Sequence, residues 1–211
     1  MSTIKVNTIQ DTGTNNAMTI SGGVVTFPNN PSGVIAPIEI IANNTSGVSA
    51  ASEIEIDLST STNYIKQQII LYGVYGSAAS DLYCQLRATG GAYRTGATYG
   101  YGYNLVERTT GADTNGTGAT TANYMRLNWY GQGDTAVEAN VLTMNFHLNG
   151  ETGYYTTLDG TKAGMASTGY MATTHFTGQL KQAESNDRFK IYPSSGTLYV
   201  GGYVHYGFRR T

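Results

Sequence analysis

From residue 34 onward the chain alternates apolar and polar positions in short blocks, the period-2 pattern of half-buried strands. Glu53-Ile54-Glu55-Ile56-Asp57-Leu58 predicts a strand with Ile54, Ile56 and Leu58 inward and three carboxylates outward. In Asp81 to Arg87, Leu82, Cys84 and Leu86 share a face; in Val137 to Leu148, Leu142, Met144, Phe146 and Leu148 do, and these four are predicted to point into a core. Val34 to Ala42 is nearly continuous in apolar residues but broken by Pro37, which predicts a first or edge strand. The run Ile69-Ile70-Leu71-Tyr72 inside Tyr64 to Tyr75 predicts a central strand buried on both faces. Tyr124 to Tyr130, Tyr154 to Leu158 and Tyr170 to Leu180 add further strands.

The stretch Arg188 to Phe208 predicts a β-hairpin turning at Pro193-Ser194-Ser195-Gly196. In its second arm Leu198, Val200, Val204, Tyr206 and Phe208 share one parity, with Tyr199, Tyr203 and His205 on the other. A strand this apolar has to lie between other strands, because a free edge of that kind pairs with other molecules. About ten strands and no helix together predict an all-β fold, an antiparallel sandwich of jelly-roll type.

Residues 1–33 read differently. Lys5 and Asp11 are their only charges, and Ile4, Val6, Ile9, Met18, Ile20, Val24, Val25 and Phe27 are too few and dispersed to offset the ordering entropy of the segment. They predict an extended arm that orders against copies of itself or a partner, joined through Asn29 to Gly33 to a β-domain over 34–211.

Charged residues are 12 % of the chain and the net charge is −2, so no basic field for nucleic acid is present. The 27 glycines and 17 tyrosines suit turns and pleated strands. Cys84 is the sole cysteine, which excludes an intrachain disulfide and reads as a buried, inert thiol. No apolar run reaches the roughly 18 residues of a membrane span, and the opening residues lack the apolar core of a signal peptide. The expectation is a protein made in a cytoplasm, with no membrane insertion.

His147, His175 and His205 fall in separate strands without a second ligand at short spacing, so no metal site is read and each is expected to be an outward polar position. Asp113-Thr114-Asn115-Gly116 has part of a calcium-loop pattern without its distal Glu and reads as a turn. Glu53, Glu55 and Asp57 are close enough for paired acid and base work, but their solvent face has nothing to raise a pKa. With no nucleophile elbow or phosphate loop, no enzyme and no cofactor are predicted.

The tyrosines carry the functional signal. Tyrosine with Gly, Ser and Asn composes adaptable binding surfaces, since each ring brings large contact area and a polar tip. Within the weakly patterned Ala88 to Thr121, residues Tyr93, Arg94, Tyr99, Tyr101 and Tyr103 are the predicted receptor-binding positions. Tyr99, Tyr101 and Tyr103 share one parity and are expected to line an exposed, mobile face.

Two separate pieces of the chain resemble the small fibre-like or adhesin-like virion proteins of marine and cyanobacterial tailed phages. The first is Ser2 to Thr12 with Met18-Thr19-Ile20 and Gly22 to Phe27; the second is Phe189 to Gly196 with Tyr206-Gly207-Phe208 and the internal Ile70 to Val74. The resemblance implies a homotrimeric all-β virion component, assembled in the host cytoplasm. Its N-terminal arms would intertwine or dock on other tail or capsid proteins, and its C-terminal domains would face outward. Host attachment through a cell-surface glycan is the first functional expectation, and capsid decoration without a receptor is the alternative.

Overall fold

A computed structural model describes residues 38–106, 118–128, 133–165 and 171–210, and the backbone alone of 8–10, 16–21, 24–26, 107 and 113–115. The chain divides into two compact units, Met1–Pro37 and Ile38–Arg210.

In the first unit β1 (Thr8–Gln10), β2 (Asn16–Ser21) and β3 (Val24–Thr26) form an antiparallel sheet in that order. Ile9 lies opposite Met18 and Ile20 opposite Val25. Over its described residues the segment expected as an extended arm therefore pairs with itself. The two residues separating β2 from β3 are the length of a tight hairpin connection. Ile4, Val6 and Phe27 lie outside the described residues.

The second unit contains β4 (Ile38–Asn44), β5 (Val48–Ala51), β6 (Ile54–Asp57), β7 (Tyr64–Gly76), β8 (Leu82–Ala88) and β9 (Tyr99–Glu107). It continues through β10 (Asp113–Asn115), β11 (Ala119–Ala122), β12 (Met125–Arg126), β13 (Asn140–His147), β14 (Tyr155–Met165) and β15 (Met171–Ala183). β16 (Asn186–Pro193), β17 (Leu198–Val200) and β18 (Gly202–Arg209) complete it, and one 3-10 turn, Ala136–Glu138, precedes β13.

These strands make two sheets. The large one runs β10-β9-β15-β14-β13-β7-β17-β5, with β11 beside β9 and β18 between β7 and β4; the small one runs β12-β8-β16-β6. All pairings are antiparallel. The inner faces meet in one core, to which β13 contributes Leu142, Met144 and Phe146, β8 Leu82, Cys84 and Leu86, and β16 Phe189 and Ile191. The rings of Phe146 and Phe189 meet across the layers with centroids 4.8 Å apart. An antiparallel all-β sandwich is the fold, as the alternation predicts, and Ile54, Ile56 and Leu58 are buried as expected.

Several local expectations are corrected. Arg188 to Phe208 is not a hairpin: β16 belongs to the small sheet and β17 to the large one, so the turn at 194–197 crosses between layers. Phe189 and Ile191 on one side of that turn, and Leu198 and Val200 on the other, enter the same core from opposite layers. Facing also reverses between β17 and β18. His205 is fully buried, whereas Val204, Tyr206 and Phe208 are only half-buried on the outer face. The irregular step at Gly201, whose amide donates to the Tyr72 carbonyl, shifts the phase of all that follows.

β7 is central, but it is buried on one face only: Gln67, Ile69 and Leu71 point inward while Tyr72 is 37 % exposed. Leu148 lies past β13 with φ of 59° and is half-buried, out of line with Leu142, Met144 and Phe146. Asp113–Asn115 is a strand paired with β9, not a turn. Of Tyr124 to Tyr130 only Met125–Arg126 is strand among the described residues.

Candidate functional site

The alternation that buries Leu82, Cys84 and Leu86 sends Tyr83 and Arg87 to the outer face of the small sheet, with Gln85 between them covered and donating to the Asn123 carbonyl. In β16, Arg188, Lys190 and Tyr192 likewise alternate with the buried Phe189 and Ile191. Antiparallel register sets Tyr192 opposite Tyr83, and Tyr83 opposite Arg126. Tyr124, just before β12, lies on Tyr83 with ring centroids 3.9 Å apart, and Tyr192 meets Tyr83 edge-on at 5.7 Å. Tyr101, from the large sheet, reaches Tyr124 at 6.3 Å and Tyr103 at 6.2 Å. The result is one continuous ladder of half-buried rings, Tyr192, Tyr83, Tyr124 and Tyr101, ending over the buried Tyr103.

Ion pairs flank the ladder. Arg126 reaches Asp81 at 2.5 Å and stands 5.4 Å from the Tyr103 ring centroid. Lys190 pairs with Glu53 at 2.7 Å and lies between the rings of Tyr93, at 4.8 Å, and Tyr192, at 5.3 Å. Arg188 bridges Glu55 and Asp57, and Arg87 holds Asp187 at 2.8 Å. The carboxylates of β6, with Glu53 just before it, thus neutralise the cations of β16, and against the upward push of burial the hydrogen bond from Arg188 brings Glu55 below its ordinary range. Asp187 is lowered chiefly by its hydrogen bond from Arg87. Burial raises the phenols of Tyr83, Tyr93 and Tyr101, and pushes Tyr192 up to about 12, so these hydroxyls stay protonated hydrogen-bond donors at neutral pH.

The five receptor-binding positions expected from sequence are dispersed by the fold. Tyr99 is fully buried: its hydroxyl accepts the Leu86 amide at 2.9 Å within the core. Tyr103 is 7 % exposed. The expected outward face of Tyr99, Tyr101 and Tyr103 is therefore an inward face, and it is Gly100 and Gly102 that lie on the outer surface. Cross-strand partners explain this, since Tyr99 pairs with Leu180 and Tyr103 with Phe176, both core residues. Arg94 is fixed by Glu184, its Nε donating at 2.7 Å. Of the five only Tyr93 and Tyr101 keep half-buried rings within the aromatic cluster, Tyr93 beside Lys190 and Tyr101 on the inward side of β9, packed partly against the core where it meets Tyr124. Tyr83, Tyr124 and Tyr192 were missed, although Tyr83 and Tyr192 are out of phase with their buried neighbours and could have been marked as outward aromatics.

The histidines also separate. His147 Nε2 lies 2.5 Å from Asp159 Oδ1, and His175 is exposed. His205, expected outward, is instead buried, and desolvation lowers its pKa to about 4. Cys84 is buried and its thiol is pushed far up by desolvation, which makes it unreactive. Among the described residues no three His, Cys, Asp or Glu side chains gather as metal ligands, and no helix is long and apolar enough to cross a membrane. No family model matches the chain, and no curated protein matches it.

Proposed function

We propose that this chain is a structural protein of a tailed-phage virion, a fibre or knob that attaches the particle to a host cell by binding a surface glycan along its tyrosine ladder. The ladder is the observation that carries the reading. The rings follow one another at 3.9 to 6.3 Å, the edges and outer faces left by their stacking can take the apolar C–H side of successive pyranose units, and phenol hydroxyls along the ladder can donate to sugar oxygens. The flanking cations are already paired, which favours a neutral polyhydroxylated ligand over an acidic one. Resemblance of the two quoted segments to phage fibre-like proteins supports the virion setting. In that setting three copies join through residues 1–33, which also dock on the particle.

The test is attachment of the purified full-length protein to host cells and isolated envelope glycans. Tyr83→Ala with Tyr124→Ala should abolish binding while leaving the mass and thermal midpoint nearly unchanged. Undiminished binding would remove the ladder from the mechanism. Antibody labelling of virions should mark the tail; label spread over the head would favour decoration of the capsid instead.

A further inference from the structure

A second aromatic surface lies on the large sheet, where three strands carry irregular backbone side by side. At Gly73, with φ of 64°, β7 changes phase: Leu71 is buried before it, Val74 and Gly76 are buried after it, and Tyr75 projects from the opposite face. Tyr199 of β17 pairs with Tyr75, and their rings lie 4.5 Å apart and parallel to within 2°. On the other flank of Tyr199, β5 bulges. Ala51 pairs with Leu198 and Val48 with Val200, so Ser49 and Ala50 together stand opposite Tyr199.

The bulge is held under strain. Ala50 has φ of 51°, a left-handed conformation costing a non-glycine residue about 1 to 2 kcal/mol. Gly47, with φ of 67°, brings the preceding loop so close that a Cβ there would lie 2.7 Å from the Val200 carbonyl oxygen. Around the stacked rings these features leave an open hollow of about 440 Å³, walled by Ser46, Ser49, Ala136 and Ala139. No charged side chain lines it among the described residues.

We propose that this hollow is a binding site, separate from the tyrosine ladder, that takes one neutral pyranose unit. Tyr75 and Tyr199, stacked face to face, both line the hollow and present ring edges and outer ring faces as apolar surface for the C–H side of a sugar ring. Ser46 and Ser49 supply hydroxyls that both donate and accept, as sugar hydroxyls require. Alanine and glycine walls leave room for a ring. An ionised sugar is disfavoured, because its carboxylate would lose water without gaining a cationic partner. The site stands on its own geometry and does not depend on the virion role.

Saturation-transfer NMR on the full chain tests it, with the methyl pyranosides of glucose, galactose and mannose as probes and glucuronate as the charged control. At least one neutral pyranoside should receive saturation, and glucuronate should not. Ser46→Trp fills the hollow from an exposed rim position and leaves the residue-46 amide donating to Asn44 Oδ1, so it should fold and weaken binding at least tenfold. Tyr199→Ala should do the same, and Tyr154→Ala, at an exposed ring outside both aromatic surfaces, should leave the signal unchanged. Absence of transfer to every neutral probe, transfer to glucuronate alone, or undiminished binding by Ser46→Trp would overturn the proposal. A signal lost in Tyr83→Ala but kept in Ser46→Trp would assign the sugar to the ladder and overturn it equally.

Discussion

His205 and Gln67, on the neighbouring strands β18 and β7, are joined inside the sandwich by a 2.8 Å contact between His205 Nε2 and Gln67 Oε1. Gln67 in turn donates to the Ser59 carbonyl at 2.6 Å and to Asn149 Oδ1 at 2.7 Å, so the imidazole is one end of a buried polar network. The contact fixes the proton on Nε2 of a neutral ring.

This burial makes stability depend on pH. Unfolded, the histidine takes a proton near pH 6.5; folded, only near pH 4. Between those values the unfolded state binds more protons, so the contribution is complete above about pH 6.5, shrinks as pH falls and levels off below about pH 4. The total loss should be about 3 kcal/mol. Urea denaturation from pH 7 to 4 should show that slope, and His205→Gln should flatten it; equal slopes in both proteins would place the acid sensitivity elsewhere.

Tyr99→Phe should cost about 1 to 3 kcal/mol, since it removes no packing but strips the buried Leu86 amide of its acceptor. Hydrogen exchange at that amide should accelerate. Protection equal to the parent's would mean that the amide has another partner.

Phe146→Ala should cost about 3 to 5 kcal/mol, because the ring is fully buried and faces Phe189 across the layers. A change below about 1 kcal/mol in denaturant unfolding would contradict that position.

Gly160→Ala should destabilise by about 3 kcal/mol or more, at the upper end for overpacking. A Cβ there would fall 2.0 Å from the Thr143 carbonyl oxygen and 2.6 Å from the Phe176 ring. The backbone oxygen belongs to the paired strand β13 and cannot swing aside. An unchanged thermal midpoint would refute this.

Legibility in the sequence followed the strength of the alternation. Ile54 to Leu58, Leu82 to Leu86 and Leu142 to Phe146 each have polar residues between apolar ones, so their inward sides are readable without knowing the neighbours. Tyr99, Tyr101 and Tyr103 alternate with residues that include two glycines, which mark neither face, and the decision falls to Phe176 and Leu180 on a strand about seventy to eighty positions away. The turn at 194–197 is readable as a turn, but whether it joins neighbours in one sheet or spans two layers depends on partners from β5, β6 and β8. One irregular residue at Gly201 then inverted the expected sides of His205 and Tyr206. The ladder was hidden for the same reason, since Tyr83 and Tyr192 become neighbours only through the register of β8 with β16.

The position of β17 and β18 bears on how the sandwich assembles. Among the described residues β4 pairs only with β18, and β5 only with β17, so these two early strands join the large sheet through segments late in the unit. Closing so long a loop costs entropy before any pairing rewards it, and contacts of such separation slow folding. The β4–β5 margin should therefore be the last part to gain protection when the protein is refolded from denaturant, after the locally connected β13–β14–β15 meander has formed.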